Sequence, residues 1–125
     1  MGLWSWGDRT TWDYKQSDEA MLEAYQAALA GGCDFFDTAE VYGAGLTGGW
    51  GASESHLGQC LRSGGGPAVV ASKYMPLPWR LREPSSMLAA LRASCDRLGV
   101  PAVDLYYVHS SLPSLRSLKV QRGTA

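Results

Sequence analysis

Strand-like apolar segments alternate with helical segments along most of this sequence. The clearest strand is residues 68–71 (AVVA), a continuous apolar run of the kind found in strands that are buried on both faces of a sheet. Further strands are predicted at residues 2–6, at the start of residues 33–42 and at residues 103–108. Because helices separate these strands, the order is that of a parallel sheet with right-handed crossovers, and the fold class is α/β.

Three helices are predicted between the strands. Ser17 can cap the first, which ends at Gly31, a residue type that favours helix C-termini. Ser53 can cap the second, and Ser85 or Ser86 can start the third. Apolar residues at helical spacing predict that the third helix buries one face, made of Leu88, Leu91, Cys95 and Leu98.

Composition and charge exclude several functional classes. Hydrophobic residues make up 46% of the 125 residues, which is too many for a disordered chain. Eleven basic and 12 acidic side chains nearly cancel, so neither nucleic acid nor an anionic membrane is expected as a partner. No apolar run approaches the roughly 20 residues of a membrane helix, and no signal or transit peptide is visible. The three scattered cysteines predict neither a disulfide framework nor a metal site, and they favour a reducing compartment, the cytoplasm or an organelle.

Four titratable side chains follow three of the predicted strands. Asp37 and Tyr42 come after the second strand, Lys73 comes at the end of the third, and His109 at the end of the fourth. The carboxyl ends of parallel strands meet at one edge of a sheet, where ligands bind. The four side chains are therefore expected to converge at one mouth.

Each of these residues has a use in the reduction of a carbonyl group. Tyr42 can donate the proton that the oxygen gains, although a free tyrosine, with a pKa of about 10, is a weak acid. An ammonium group nearby favours the phenolate, and Lys73 can supply it. Asp37 can hold Lys73 in place, and His109 can orient and polarise the carbonyl.

Other interpretations of these and neighbouring residues stay open. Taken singly, each of the four has a structural alternative, such as a strand-end contact or a solvated charge. Residues 43–48 spell GxGxxG after a strand, but more glycines follow where a dinucleotide-binding helix should begin. His56 and Cys60 share a helix face but are too few for zinc. Four tryptophans near the mouth could line a substrate pocket or merely cover that end of the fold, namely Trp6, Trp12, Trp50 and Trp79.

Three motifs in the correct order resemble the aldo-keto reductase family. They are DTAEVYG at residues 37–43, followed by SES at 53–55 and LG at 57–58; SKY at 72–74; and DLYYVH at 104–109. The resemblance implies a (β/α)8 TIM barrel that reduces an aldehyde or ketone to an alcohol with NADPH. It implies that the catalytic residues are Asp37, Tyr42, Lys73 and His109, here called the tetrad. It also implies that Trp4 and Asp37 contact the cofactor.

The length of the chain departs from that family. Such barrels need about 250 residues, so the chain is expected to form a partial barrel of about four N-terminal βα units, an incomplete reductase domain over residues 1–111. Residues 112–125 are expected to be a frayed or short-helical tail. The family's grip on the cofactor phosphates comes from later strands, so activity is expected to be impaired. The alternative is a non-catalytic half barrel that binds a protein partner or self-associates through its open sheet edges.

Overall fold

Three parallel strands alternate with three helices in the part of the chain that the structure, a computed structural model, describes: residues 1–8, 17–44, 49–64, 66–80 and 85–109. The helices are α1 (Asp18–Ala30), α2 (Ala52–Ser63) and α3 (Ser85–Leu98). The strands are β1 (Phe35–Asp37), β2 (Val69–Tyr74) and β3 (Leu105–Val108). The sheet order is β1-β2-β3 with both pairs parallel, which confirms the predicted α/β class.

The N-terminal segment is shorter as a strand than the sequence predicted. Only Gly2 pairs with the sheet, through a parallel bridge to Asp37. The backbone N–H of Leu3 donates to the Asp37 carbonyl at 2.9 Å, and the N–H of Trp6 then donates to the Leu3 carbonyl at 3.1 Å. The prediction of a strand over residues 2–6 was wrong because this turn folds the Trp6 ring into the core, where 3% of the residue is exposed.

The caps of the first two helices differ. The Ser17 hydroxyl accepts from the N–H of Ala20 at 3.2 Å, as predicted. The predicted cap Ser53 instead lies inside α2, which begins after Gly51 in the left-handed conformation, with φ of 77°. The Ser53 hydroxyl donates to the Leu3 carbonyl at 2.8 Å and lies 2.9 Å from the Thr38 hydroxyl. Ser53 therefore forms tertiary hydrogen bonds instead of the helix cap that the local sequence predicted.

The buried face of α3 is rotated from the predicted one. Leu88 is 59% exposed, and the buried positions are Ala90, Ser94 and Leu98. These residues include small ones because α3 packs closely against α2: a Cβ added at Gly58 would lie 2.5 Å from the Arg97 carbonyl oxygen. Leu98 is buried as predicted, but the prediction was wrong for Leu88, because close helix packing favoured the small side chains of Ala90 and Ser94.

Strand β2 lies at the centre of the sheet, and five of its six residues are buried. The core on its helix side is made of Leu3, Trp6, Met21, Tyr25, Phe36, Leu57, Cys60, Val70 and Leu98. Among the described residues, no helix is long and apolar enough to span a membrane. The predicted tail at residues 112–125, Trp12 and the last four residues of the GxGxxG segment lie outside the described residues.

Candidate active site

The carboxyl edge of the sheet brings the tetrad together. Asp37 is the last residue of β1, Lys73 is the penultimate residue of β2, and His109 directly follows β3. Tyr42 lies in a turn after β1 in which its N–H donates to the Ala39 carbonyl at 3.0 Å. The turn continues through Gly43, whose φ is +81° and where a Cβ would lie 2.6 Å from the Cβ of Ala52. Glycine therefore lets the loop pass α2 and direct Tyr42 to the mouth.

Lys73 forms an ion pair at the centre of this edge. Its Nζ lies 2.6 Å from Oδ2 of Asp37 and donates to the Thr38 carbonyl at 2.8 Å. The lysine side chain is 8% exposed. Burial alone lowers the pKa of Lys73, but its interactions with Asp37 and Tyr42 outweigh burial and raise the pKa above its ordinary value. Lys73 is therefore a cation at neutral pH.

Tyr42 contacts both Lys73 and His109. The Nζ of Lys73 lies 4.6 Å from the centroid of the Tyr42 ring, a cation–π distance. The Tyr42 and His109 rings meet edge to face, with centroids 5.4 Å apart and planes at 83°. A carbonyl oxygen that reaches His109 at this mouth would therefore also be close to Tyr42.

His109 holds an unused hydrogen-bonding atom at the mouth. Its backbone N–H donates to the Tyr74 carbonyl at 2.8 Å, whereas its Nε2 is buried and has no hydrogen-bond partner among the described residues. Burial, assisted by the Lys73 ammonium, lowers the pKa of His109. The imidazole is therefore neutral at pH 7, and its Nε2–H tautomer can donate to a carbonyl oxygen.

The depressed pKa of His109 links protein stability to pH. The pKa of His109 in the folded state lies below the ordinary value of 6.5. The stability that the neutral imidazole contributes is therefore fully present above pH 6.5, and it is lost as the pH falls through the folded-state pKa. We expect His109→Gln to reduce the loss of stability between about pH 7.5 and about pH 5.5. Urea denaturation midpoints at the two pH values measure this loss.

His56→Gln is the matched control for this substitution. The Nδ1 of His56 lies 3.2 Å from the Asp18 carboxylate rather than beside the Lys73 ammonium, so removing it should not relieve acid destabilisation. An undiminished acid loss in His109→Gln would show that this histidine is not the cause.

Tyr107 joins the tetrad although sequence reasoning did not identify it. Its hydroxyl donates to Oδ1 of Asp37, and its ring centroid lies 5.2 Å from the Nζ of Lys73. Burial raises the pKa of Tyr107, and its hydrogen bond to Asp37 adds to the increase. The available signal was strand alternation: Tyr107 precedes His109 by two residues, so both face the same side.

A second ion pair fixes the loop after β2. Glu40, which is 1% exposed, accepts from both terminal nitrogens of Arg80, at 2.6 and 3.1 Å, and from the N–H of Met75 at 2.6 Å. The Arg80 guanidinium also lies 4.6 Å from the Tyr74 ring centroid and 5.9 Å from that of Trp50. This pair was not predicted, because 40 residues separate its members in the sequence.

The remaining candidate residues differ in exposure. Trp6 packs in the core and is 3% exposed. Trp4, Trp50 and Trp79 are 58%, 46% and 70% exposed. Cys60 is buried in the core, and no group of three potential metal ligands occurs in the described ranges.

Comparisons with known proteins agree with the resemblance seen in the motifs. The model of the aldo/keto reductase family matches residues 1–122. The chloroplastic pyridoxal reductase of Arabidopsis thaliana is 35% identical and aligns with 94% of this chain and 33% of its own length. An uncharacterized oxidoreductase of Mycobacterium tuberculosis is 34% identical, over 98% of this chain and 36% of that protein. The chain thus spans about a third of the length of these curated relatives.

Solved structures identify the larger architecture. A thermostable aldo-keto reductase in complex with the inhibitor epalrestat superimposes with a TM-score of 0.71 at 28% identity, covering 98% of this chain and 44% of that one. An aldo/keto reductase from Klebsiella pneumoniae in complex with NADP and acetate gives a TM-score of 0.68 at 25% identity, covering 90% and 36%. The predicted partial (β/α)8 barrel is confirmed, and the matches show an oxidoreductase lineage.

Proposed function

Because this chain belongs to the aldo/keto reductase family, we propose that it carries the reacting side chains for NADPH-dependent reduction of an aldehyde or ketone to an alcohol. One observation carries the proposal. The Nζ of Lys73 lies 2.6 Å from Asp37 and 4.6 Å from the Tyr42 ring centroid, so a cation, its counter-ion and a proton donor occupy one edge of the sheet. The Klebsiella pneumoniae relative, solved with NADP, supports this choice of cofactor.

The residues at the mouth fit the reacting end of NADPH. Trp4, which is 58% exposed, lies two residues after Gly2, and the bridge from Gly2 to Asp37 brings this segment to the carboxyl edge. The buried Nε2 of His109, which has no partner in the part of the chain that the structure describes, leaves a hydrogen-bond donor for a ligand oxygen. Trp4 and Asp37 would hold the nicotinamide end of NADPH, which when bound supplies a hydride to the carbonyl carbon. In the family, the residues that bind the cofactor phosphates are expected on later strands. We therefore expect the dissociation constant of these 125 residues for NADPH to lie above the micromolar range.

The tetrad then manages the proton. His109 donates a hydrogen bond from Nε2 to the carbonyl oxygen and so orients and polarises it. Tyr42 transfers its hydroxyl proton to the same oxygen as negative charge develops there, which completes the alcohol. The Lys73 ammonium stabilises the phenolate left on Tyr42, and Asp37 keeps Lys73 in position. Water afterwards returns a proton to Tyr42.

The proposal is tested by following NADPH consumption with a panel of aliphatic and aromatic aldehydes and ketones. Pyridoxal belongs in the panel because the Arabidopsis thaliana relative is named for it. Fluorescence titration first gives the dissociation constant for NADPH, and the assay then uses NADPH in the millimolar range. We expect consumption that depends on the carbonyl compound and yields one alcohol per NADPH. Consumption that is absent, or that proceeds equally without a carbonyl compound, would contradict the proposal.

A further inference from the structure

Both oxygens of the Asp37 carboxylate are hydrogen-bonded, each to a different side chain. Oδ2 lies 2.6 Å from the Nζ of Lys73, and Oδ1 accepts from the hydroxyl of Tyr107. The carboxylate is thus fixed from two sides, one by a member of the tetrad and one by a residue outside it.

The sheet register places Tyr107 beside Lys73. The two residues are partners in the parallel pairing of β2 with β3, so their side chains leave the same face of the sheet. The Nζ of Lys73 lies 5.2 Å from the Tyr107 ring centroid and 4.6 Å from that of Tyr42. Lys73 therefore lies between two phenol rings, with Asp37 hydrogen-bonded to the one that is not in the tetrad.

We propose that Tyr107 is a positioning residue, whose hydroxyl holds the Asp37 carboxylate so that its other oxygen keeps Lys73 beside Tyr42. This inference rests on the proposed function, since it assigns a role within the same site. Tyr107 acts through Asp37 and Lys73 and is not itself the proton donor.

The unequal exposure of the ion pair explains why a second anchor matters. The Asp37 side chain is 29% exposed, whereas the Lys73 side chain is 8% exposed. The terminal torsion of an aspartate has a broad energy minimum, so a carboxylate held at one oxygen can turn towards water. Lys73 cannot follow it out of the sheet and would remain buried with a weakened partner.

The first test measures the titration of Lys73 itself and needs no turnover. The chain has three lysines, Lys15, Lys73 and Lys119, so Lys73→Met identifies the Lys73 signal in NMR spectra of carbon-13-labelled lysine. Burial lowers the pKa of Lys73, and Asp37 and Tyr42 raise it. Tyr107→Phe should therefore shift its titration midpoint to lower pH.

Among the described residues, the titratable groups that face Lys73 are Asp37 at the end of β1, Tyr42 in the turn after it, Tyr107 on β3 and His109 directly after β3. Tyr106→Phe is the matched control: its side chain lies on the opposite face of β3 and lines a cavity with residues of α3. Tyr106→Phe should leave the Lys73 midpoint unchanged. An unchanged midpoint in folded Tyr107→Phe would overturn the proposal.

The second test measures whether Tyr107 acts through Asp37. With a carbonyl substrate, Tyr107→Phe should lower kcat about tenfold, the effect of losing one hydrogen bond to a charged group, with KM unchanged. In an Asp37→Asn background the same substitution should cause little further loss. An equal loss in both backgrounds would overturn the proposed route. Absence of any reduction by the wild type would count against the proposed function, whereas the NMR shift would still decide the role of Tyr107.

Discussion

Tyr42→Phe is expected to lower the rate of carbonyl reduction about a thousandfold, within the range for loss of a general acid. The substitution removes the transferable proton and leaves the ring. The Tyr42 ring centroid lies 4.6 Å from the Nζ of Lys73 and 5.4 Å from the His109 ring centroid. These ring contacts do not require the hydroxyl. The free energy of unfolding and the affinity for NADPH should therefore change little, and the lower rate should appear as a lower kcat. Steady-state kinetics at saturating carbonyl concentration measure it.

Tyr25→Phe supplies the same chemical change away from the mouth. Tyr25 is fully buried against Phe36, with ring centroids 4.7 Å apart, and its hydroxyl has no hydrogen-bond partner within the described ranges. This control should keep wild-type kinetics. If the kcat of Tyr42→Phe were within about twofold of the wild-type value, a group other than Tyr42 would donate the proton.

The fold and the convergence of the tetrad follow from a short-range pattern in the sequence. The apolar run at residues 68–71 predicted a strand that is buried on both faces, and β2 is that strand. A parallel sheet then brings the ends of its strands to one edge. For this reason Lys73 and His109 could be placed at the mouth from their positions after apolar runs. Their roles in the reaction remain proposals.

The errors came where long-range contacts overrode local preference. Ser53 is a good helix cap by residue type, but its hydroxyl joins α2 to Leu3 and Thr38, which are distant in the sequence. Leu88 has the apolar character of a core residue, yet it is 59% exposed, whereas α3 buries the smaller Ala90 and Ser94 together with Leu98. Neither outcome can be derived from the helix alone, because both depend on what the helix packs against.

Buried ion pairs were also beyond the sequence pattern. Glu54 was noted only as part of a family motif, and it is completely buried in α2. Its Oε2 accepts from Nε of Arg97 at 2.7 Å, and its Oε1 accepts from the hydroxyl of Ser72. These contacts connect two helices and the central strand. The spacing of the residues in the sequence does not predict them.

Arg97→Met should destabilise the protein by about 3 kcal/mol, the low end of the cost of removing one partner from a buried ion pair. The low end applies because the Arg97 side chain is 23% exposed, whereas that of Glu54 is 0% exposed. Methionine fills much of the volume, so the cost arises mainly from a buried carboxylate that loses its cation. The free energy of unfolding from urea denaturation measures the effect.

Two further variants separate this cost from a general effect of losing an arginine on α3. Arg92→Met, at an exposed position of the same helix, should change stability by no more than about 0.5 kcal/mol. Glu54→Gln combined with Arg97→Met should cost less than the sum of the two single substitutions, since the double variant buries no unpaired charge. If Arg97→Met were no more harmful than Arg92→Met, the ion pair would be a consequence of helix packing rather than one of its causes.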